Sequence, residues 1–228
     1  MAAEKISIII PVLNEANKIQ SILTRVLEAG NSLEVIVVDG GSQDETVAIV
    51  QSLGVKVLST TAGRAQQMNA GAAIATGNIL LFLHADTYLP TDFETLVQQA
   101  LQKSGTVAGA FRLRIDSQLW GLRLIEKMVN WRSQFFSMPY GDQAIFVKST
   151  LFREIGGFPQ LPIMEDFELM QRLHRLGKVT IVPAAVLTSG RRWQKLGVVK
   201  TTLINQLIII GYLCGVPPAT LVNWYRRK

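Results

Sequence analysis

Carboxylate, amide and imidazole side chains follow three apolar runs in the first 90 residues. Asn14 and Glu15 come after the first run, Asp39 ends the second, and His84 and Asp86 come at the end of the third. If the runs are neighbouring parallel strands, their carboxyl ends meet at one sheet edge, where ligands bind in such folds. Together the three exits predict a binding site for a polar ligand at that edge.

Each of these residues also has a structural interpretation. Asn14 could cap a first helix, and Ser42 or Asp44 could cap a second. Asp39, followed by two glycines, could simply make a turn. Singly, the structural and functional interpretations are about equally strong, but their coincidence at three exits favours a site.

Two common phosphate-binding motifs are absent from the sequence. The first run leads into PVLNE, without the G-x-G-x-x-G of dinucleotide-binding folds, and the sequence contains no Walker A loop. This argues against an NAD enzyme and a P-loop NTPase. A later group of small residues is predicted to allow close helix packing: Gly71, Ala72, Ala75 and Gly77.

The elements that must position these residues alternate between strand and helix. Near-continuous apolar strands separated by helical patterns predict an α/β fold whose mostly parallel central sheet is covered by helices on both faces. Strands are predicted over 6–13, 35–39, 55–60, 79–84, 106–115, 144–147 and 179–182. Helices are predicted around Ile19–Leu27 and over 44–53, 91–103, 118–136, 149–155 and 165–177.

The charge is distributed unevenly along the chain. All 17 acidic residues lie at or before Glu168, whereas ten Lys or Arg follow it. A basic C-terminal part indicates a phosphate-rich partner such as a nucleotide, an anionic membrane surface or nucleic acid, the alternative being a basic solvated face.

Cysteine content and apolar runs bear on the compartment. The only cysteine, Cys214, leaves no internal disulfide and suits a reducing compartment. The N-terminus lacks the basic segment and long apolar run of a secretory signal, so we expect a cytoplasmic protein. The run at 203–216 is short and interrupted by Asn205 and Gln206, so it predicts a buried or interfacial helix.

Four motifs, in order and spacing, resemble the family 2 glycosyltransferases: IIPVLNE, VVDGGSQDET, GRAQQMNAGAAIATG and LLFLHADT. GGF at 156–158 with Glu165-Asp166, and the segment 191–193, extend the likeness to about residue 195. The chain most resembles small bacterial members. The resemblance implies a GT-A type nucleotide-diphospho-sugar transferase fold. It also implies a glycosyltransferase domain over 1–194, with nucleotide-binding and acceptor parts dividing near residue 90, and a helical appendage over 195–228.

The same resemblance assigns roles on the donor side of the site. Pro11, Asn14 and Glu15 belong to the nucleotide-sugar site, with Pro11 and Glu15 lining a uridine-type base. Asp39 would accept a hydrogen bond from the base or ribose. The residues implied beside the ribose and phosphates are Arg64 and Asn69.

A metal and a base complete the implied machinery. Asp86 matches the last position of the family's Asp-x-Asp element, which holds Mg²⁺ or Mn²⁺ on the pyrophosphate, and one carboxylate can suffice. His84 replaces the first Asp, either as a ligand or as a structural residue. Asp166, beside Glu165, matches the catalytic base. A single base without an opposing nucleophile implies direct displacement with inversion.

Two further segments are candidates for contact with the acceptor and the phosphates. Arg191, Arg192 and Trp193 are predicted to close over the diphosphate, or else to form a basic surface turn. The segment 140–143 is a secondary candidate on the acceptor side.

A third segment, 118–138, combines aromatic and basic residues. With the 195–213 helix and the tail Arg226-Arg227-Lys228, it could face a lipid-linked acceptor or the inner membrane leaflet. Core packing with a homodimer interface is the alternative. Nucleic acid is disfavoured because the acidic strand ends would repel phosphate.

These observations lead to one principal hypothesis and two rivals. The sequence predicts a metal-dependent glycosyltransferase that uses a nucleotide-diphospho sugar, most simply UDP-linked. The rivals are a nucleotidyltransferase and a catalytically silent nucleotide-sugar or membrane-surface binding protein.

Overall fold

One mixed β-sheet forms the centre of the computed structural model, which describes residues 4–30 and 33–226. Across these residues eight strands lie in the order β3-β2-β1-β4-β7-β6-β8-β5. The pairs β1–β2, β2–β3, β1–β4 and β6–β8 are parallel. The pairs involving β7, and the pair β5–β8, are antiparallel. The predicted α/β fold with a mostly parallel sheet is confirmed.

The N-terminal half repeats a strand–helix pattern, as its apolar periodicity predicts. Its elements are β1 (Ile6–Val12), α1 (Ala16–Ala29), β2 (Leu33–Asp39), α2 (Thr46–Ser52), β3 (Lys56–Ser59), α3 (Arg64–Ile74) and β4 (Ile79–Phe82). The fourth strand is shorter than predicted, so His84 lies beyond its end. The Leu83 N–H nevertheless donates to the Ile9 carbonyl at 3.0 Å, which holds the segment after β4 against β1.

The C-terminal half adds antiparallel strands and more helices. Its elements are β5 (Thr87–Tyr88), α4 (Phe93–Gln102), β6 (Thr106–Asp116), α5 (Trp120–Phe136), β7 (Phe146–Lys148), α6 (Ser149–Glu154), α7 (Glu165–Leu176), β8 (Lys178–Ser189), α8 (Arg191–Leu196), α9 (Val198–Leu213) and α10 (Pro218–Arg226). The last strand was predicted to be only 179–182, and β5, α8 and α10 were not predicted.

Helices cover both faces of the sheet, and β1 shows why. Its alternating side chains Ile8 and Ile10 belong to one buried cluster with residues of α1 and α4, whereas Ile9 belongs to another with residues of α3 and α7. A strand buried on both faces needs mostly apolar residues, and every position of β1 except Ser7 is apolar.

One glycine sets the spacing between a helix and the sheet. A Cβ placed on Gly71 of α3 would lie 2.5 Å from Ile9 Cγ2 and 3.0 Å from Val38 Cγ2. Glycine therefore allows α3 to approach closely, and the predicted role of Gly71 in helix packing is confirmed.

The last two helices pack against the start of α7. Met164 and Phe167 form a buried cluster with Ile208 of α9 and Leu221 of α10. In addition, the Tyr212 hydroxyl lies 3.1 Å from Glu168 Oε2. Among the described residues, none of the helices has both the length and the apolar character needed to cross a membrane. Arg227 and Lys228 of the predicted basic tail lie outside the described residues.

Candidate active site

The exits of β1, β2 and β4 meet at one sheet edge, because β1 lies between the other two strands. Val12 of β1 is in register with Asp39 of β2. Pro11 lies in β1 one residue earlier and is partly exposed. The geometry that was predicted from the parallel strand order is therefore present.

Hydrogen bonds join the loop that follows β1 to the loop that follows β2. The Asn14 N–H donates to Ser42 Oγ at 2.9 Å, and the Gln43 N–H donates to Asn14 Oδ1 at 2.8 Å. Asp44 accepts from the Ala16 N–H, at the first turn of α1, at 3.2 Å. Asn14 has a φ of 55°, a conformation that asparagine tolerates better than most residues. Asn14 thus braces the two loops.

Asp39 shapes the turn that follows β2. Its carboxylate accepts the Gly41 N–H at 2.9 Å and the Ser42 N–H at 3.1 Å. It is only 4% exposed, so these backbone donors satisfy a buried charge. The turn chemistry considered for Asp39 is present, while its contact with a base or ribose stays a prediction.

Arg191 links the segment that follows β1 to the segment that follows β4. Its Nη2 lies 3.1 Å from Glu15 Oε2 and 3.2 Å from Asp86 Oδ2, and the guanidinium-bearing side chain is about half exposed. Burial raises the pKa of the Glu15 carboxyl, the Arg191 charge opposes that shift, and nearby Asp86 reinforces it. We call Glu15, Asp86 and Arg191 the rim triad.

The pairing of β5 with β8 brings the rim triad together. Thr87 and Tyr88 pair with Thr188 and Leu187, and the Ser189 N–H donates to the Asp86 carbonyl at 3.2 Å. The beginning of α8 therefore lies beside Asp86. Because β5 has only two residues, sequence periodicity could not predict it.

Asp166 lies in the first turn of α7 and is held by backbone donors. The Gly141 N–H donates to its Oδ2 at 2.7 Å, and the Phe167 N–H donates to its Oδ1 at 2.7 Å. A negative charge at a helix N-terminus is stabilised by the helix dipole. These contacts fix the orientation of the carboxylate.

Glu165 is buried beside Asp166 and contacts α3. It is 2% exposed, and its Oε1 lies 3.3 Å from Arg64 Nη1. Burial and the Asp166 charge raise the pKa of Glu165, and Arg64 opposes the shift. Arg64 therefore faces this acidic pair, and its predicted contact with ribose or phosphate stays a prediction.

Asn69 lies further along α3 and braces another loop. Its Nδ2 donates to the Phe158 carbonyl at 2.7 Å, and its Oδ1 accepts the Phe158 N–H at 2.9 Å. Both ends of the amide are thus engaged with the GGF segment. This gives Asn69 a structural role, and its contact with a ligand stays a prediction.

His84 and Asp142 lie around Gly141, close to Asp166. A Cβ on Gly141 would meet His84 Nε2 at 3.0 Å and Asp166 Oδ2 at 3.2 Å. Burial and the Arg64 charge lower the pKa of His84 to about 3, so its imidazole is neutral. Burial, followed by the Asp166 charge, raises the pKa of Asp142 to about 6. We call Arg64, His84, Asp142, Glu165 and Asp166 the inner cluster.

The three residues at the start of α8 point in different directions. Arg191 belongs to the rim triad. The Arg192 guanidinium lies 3.7 Å from the centre of the Tyr225 ring and donates to the Tyr225 carbonyl at 2.9 Å. Trp193 packs against the main core. Arg192 thus contacts α10, and closure of this segment over a diphosphate stays a prediction.

Gln67 is a site residue that the sequence analysis missed. It is buried, and its Nε2 donates to the carbonyls of Val12 and Val38 at 2.8 Å each. It therefore ties together the ends of β1 and β2. α3 contains two adjacent glutamines, Gln66 and Gln67, and the sequence alone does not show which of them faces the sheet.

The donor atoms at the rim suit a hard divalent cation. Asp86 presents a partly exposed carboxylate, and Arg191 Nη2, 3.2 Å from its Oδ2, is its ion-pair partner among the described residues. Mg²⁺ and Mn²⁺ are commonly bound by one or two carboxylates together with substrate phosphates. Within the described residues no group of three His, Cys, Asp or Glu converges as a site formed by protein ligands alone. The residues therefore fit a metal shared with a phosphate ligand.

His84 fits that metal less well. Its Nε2 is enclosed and has no hydrogen-bond partner within the described part of the chain. That atom faces Gly141 and the neighbourhood of Asp166. Its predicted role as a ligand and the structural alternative both stay predictions.

Sequence comparison relates the chain to a known family. The model described as "Glycosyl transferase family 2" matches residues 7–157. A "PGL/p-HBAD biosynthesis glycosyltransferase" of Mycobacterium bovis (strain BCG / Pasteur 1173P2) is 33% identical over 172 residues, which cover 69% of this chain and 64% of that protein. The chain thus spans less than two thirds of this relative's length.

Two solved structures share the fold. The mannosyltransferase PcManGT from Pyrobaculum calidifontis, in complex with GDP-Man and Mn²⁺, has a TM-score of 0.70 at 18% identity, covering 98% of this chain and 69% of that one. Glucosyl-3-phosphoglycerate synthase from Mycobacterium tuberculosis, with Mn²⁺, UDP and glucosyl-3-phosphoglycerate, has a TM-score of 0.67 at 21% identity, covering 95% and 82%. These likenesses confirm the predicted GT-A type fold.

Proposed function

Because the chain belongs to glycosyl transferase family 2, we propose that it transfers a sugar from a nucleotide-diphospho sugar to an acceptor hydroxyl. The observation that carries the proposal is the convergence of Glu15 and Asp86 on Arg191 at the edge where β1, β2 and β4 end. Residues far apart in sequence are brought together there, with the acidic start of α7 on the inner side.

The rim triad and Asp39 form the donor side of the proposed site. Glu15 and Asp39 accept hydrogen bonds from the base or ribose, and Arg191 can turn from its two carboxylates to phosphate oxygens. A guanidinium suits phosphate because its fork of N–H donors matches two oxygens. One solved neighbour holds UDP and the other GDP-Man, which supports a nucleotide-diphospho sugar as donor, and the donor proposed for this chain is UDP-linked.

A divalent cation held by Asp86 would neutralise the charge that develops on the leaving nucleoside diphosphate. The solved neighbours contain Mn²⁺, which supports this cofactor. In the proposed complex Asp86 exchanges its contact with Arg191 for such an ion. Glu15 is then left for the nucleoside.

Asp166 acts as the general base in the proposed reaction. Its carboxylate takes the proton from the acceptor hydroxyl while the hydroxyl oxygen bonds to the anomeric carbon. The bond between that carbon and the phosphate oxygen breaks, and the nucleoside diphosphate leaves with the bonding electrons. With one base and direct displacement, the configuration at the anomeric carbon inverts. The Gly141 and Phe167 N–H groups hold the Asp166 carboxylate in place, and the ion pair of Arg64 with Glu165 lies beside it.

Donor binding tests the proposal directly. We expect UDP or GDP with Mn²⁺ to raise the unfolding midpoint by roughly 5 to 10 °C at about 100 times Kd. Asp86→Ala should lose the Mn²⁺-dependent part of this shift while remaining folded. Glu28→Ala, which changes an exposed carboxylate on α1, is the matched control. If UDP, GDP and TDP all fail with Mn²⁺ present, the donor site is wrong.

Acceptor and cellular setting remain predictions. A lipid-linked acceptor, a cytoplasmic location and a homodimer are compatible with the site, and none follows from its geometry. Donor binding without any transfer to a panel of hydroxyl acceptors would instead favour the catalytically silent alternative.

A further inference from the structure

The outer face of α5 carries an apolar stripe that the fold leaves exposed. Its members are between 53% and 85% exposed and recur at intervals of four or three residues: Trp120, Leu124, Met128, Trp131 and Phe135. At 3.6 residues per turn they fall within an arc of about 80°. Leu122, Glu126 and Ser133 are buried on the opposite side. One face of α5 is therefore buried against the rest of the chain, and the opposite face is apolar but exposed.

The outer face of α9 repeats this arrangement. Its exposed members, between 55% and 72% exposed, are Val199, Leu203, Leu207 and Ile210. Thr201, Ile208 and Gly211 on the other side are buried against the rest of the chain. A helix that is apolar all round needs a partner on each side.

The two stripes begin at neighbouring points of the surface. A Cβ on Gly121, in the first turn of α5, would lie 3.2 Å from Cγ1 of Val198, at the start of α9. Trp120 is next to Gly121 in sequence, and Val199 is next to Val198. The first residue of each stripe therefore lies beside this contact. The exposed apolar area is thus shared between two helices in contact.

Basic residues accompany both stripes. Residues 120–136 contain three Lys or Arg and residues 191–213 contain four, whereas the only acid in these ranges is Glu126. Glu126 is buried and paired with Arg123 at 2.7 Å. Lys127, Lys195 and Lys200 are exposed. The two segments that carry the stripes therefore have a net positive charge.

This charge discriminates between possible occupants. A second copy would bring the same positive charges to the interface, and like charges disfavour association. Anionic phospholipid headgroups complement the lysines, tryptophan is suited to the membrane–water interface, and leucine side chains can enter the acyl boundary. Because both helices are packed on their inner sides, lipid can reach only the outer faces.

We propose that the outer faces of α5 and α9 dock on an anionic phospholipid membrane surface. The stripes enter the interface while the exposed lysines contact lipid phosphates. The inner sides of both helices keep their contacts with the folded chain. Docking of this kind does not depend on which sugar is transferred.

Vesicle sedimentation of the full chain tests the proposal. We expect binding to vesicles of phosphatidylcholine mixed with phosphatidylglycerol, and weaker binding to vesicles of phosphatidylcholine alone. At 1 M salt, where the screening length is about 3 Å, the extra affinity for the anionic vesicles should fall. Tryptophan fluorescence should shift to shorter wavelength on binding. Absence of binding to the anionic vesicles at low salt would overturn the proposal.

Paired variants separate the stripe from general surface properties. Trp131→Ser and Leu207→Ser should each weaken vesicle partitioning about tenfold, from the transfer free energy of one large apolar side chain. Lys127→Gln and Lys200→Gln should each weaken it about fivefold. Leu27→Ser and Leu176→Ser remove exposed leucines from α1 and α7 and should leave it unchanged.

Light scattering identifies the competing occupant. If the chain is a dimer, and Trp131→Ser and Leu207→Ser convert it to a monomer without affecting vesicle binding, the stripes form a protein interface and the membrane proposal is wrong. A monomer that binds anionic vesicles through these residues supports it.

Discussion

Asp166 accepts hydrogen bonds from two backbone N–H groups, so its carboxylate is positioned before any acceptor arrives. Asp166→Asn keeps the shape of the side chain but cannot take a proton. We expect kcat to fall by roughly 10² to 10⁴, the usual contribution of general-base catalysis, while UDP with Mn²⁺ still raises the unfolding midpoint. Release of nucleoside diphosphate measures the rate.

Glu168→Gln is the control for this change. Glu168 lies in the same helical turn but contacts Tyr212 and Arg172. We expect it to retain most of the activity. If Asp166→Asn were as active as the natural chain, another group would have to act as the base.

A second prediction at the residue scale concerns Asp142 and the pH dependence of the free energy of unfolding. Its folded pKa is about 6, raised from 3.8. The folded state thus binds more protons than the unfolded state between about pH 4 and 6, and stability falls as pH rises through that window. The loss by pH 7 is at most about 3 kcal/mol.

Asp142→Asn should remove this loss. Urea unfolding at pH 4, 5, 6 and 7 should show the variant gaining stability relative to the natural chain as pH rises. Asp116→Asn, at an exposed carboxylate, should give a pH-independent difference. A constant difference for Asp142→Asn as well would show that the group does not titrate in this range.

Sequence reasoning located some site residues and not others, for a physical reason. Glu15, Asp39 and Asp86 follow parallel strands, and strand order alone brings such residues to one edge. The contact between Arg191 and Asp86 depends on β5 and β8, whose pairing has no local pattern. Asp142 was considered only as a secondary candidate because its burial is a tertiary property.

At the scale of elements, α3 depends on its close approach to the sheet. Gly71→Ala would place a Cβ 2.5 Å from Ile9 Cγ2, so side chains or the helix must move. We expect a loss of about 1–3 kcal/mol in the free energy of unfolding, despite the higher helix propensity of alanine. Urea titration followed by circular dichroism measures it.

Ala73→Ser on the exposed side of α3 is the control and should change stability by less than about 0.5 kcal/mol. A neutral or stabilising Gly71→Ala would mean that α3 can shift without cost. Because Gln67 also lies on α3, donor affinity in Gly71→Ala reports whether such a shift reaches the ends of β1 and β2.

The elements differ in how well periodicity predicts them. Buried strands such as β1 and amphipathic helices such as α1 have strong local patterns and were predicted closely. β8 was underestimated because Pro183 interrupts the apolar run. The break between α8 and α9 occurs at Gly197, whose φ of 83° favours glycine, so a lone glycine between two helical segments marks the boundary.

At the scale of the whole molecule, the C-terminal helices support the start of α7. Leu221 of α10 is fully buried with Phe167, next to Asp166. Leu221→Ala should cost about 2–5 kcal/mol of stability and, by loosening α7, should also lower kcat. Thermal unfolding and initial rates are the measurements.

Leu203→Ala is the matched control, because Leu203 is 57% exposed on α9. In solution it should affect stability little. If Leu221→Ala unfolded part of the chain yet left kcat unchanged, α10 would be independent of the active site.

The contact of Arg191 with Glu15 and Asp86 joins residues 176 and 105 positions apart, which has a consequence for the growing chain. At about 5–20 residues per second, roughly 9 to 35 s separate the synthesis of Glu15 from that of Arg191. For the part of this interval that follows the synthesis of β4 and precedes that of β7, β4 presents an unpaired edge. A ribosome-bound chain that stops before residue 191 would therefore carry the Glu15 and Asp86 carboxylates without their arginine, and the rim triad is complete only once residue 191 has been made.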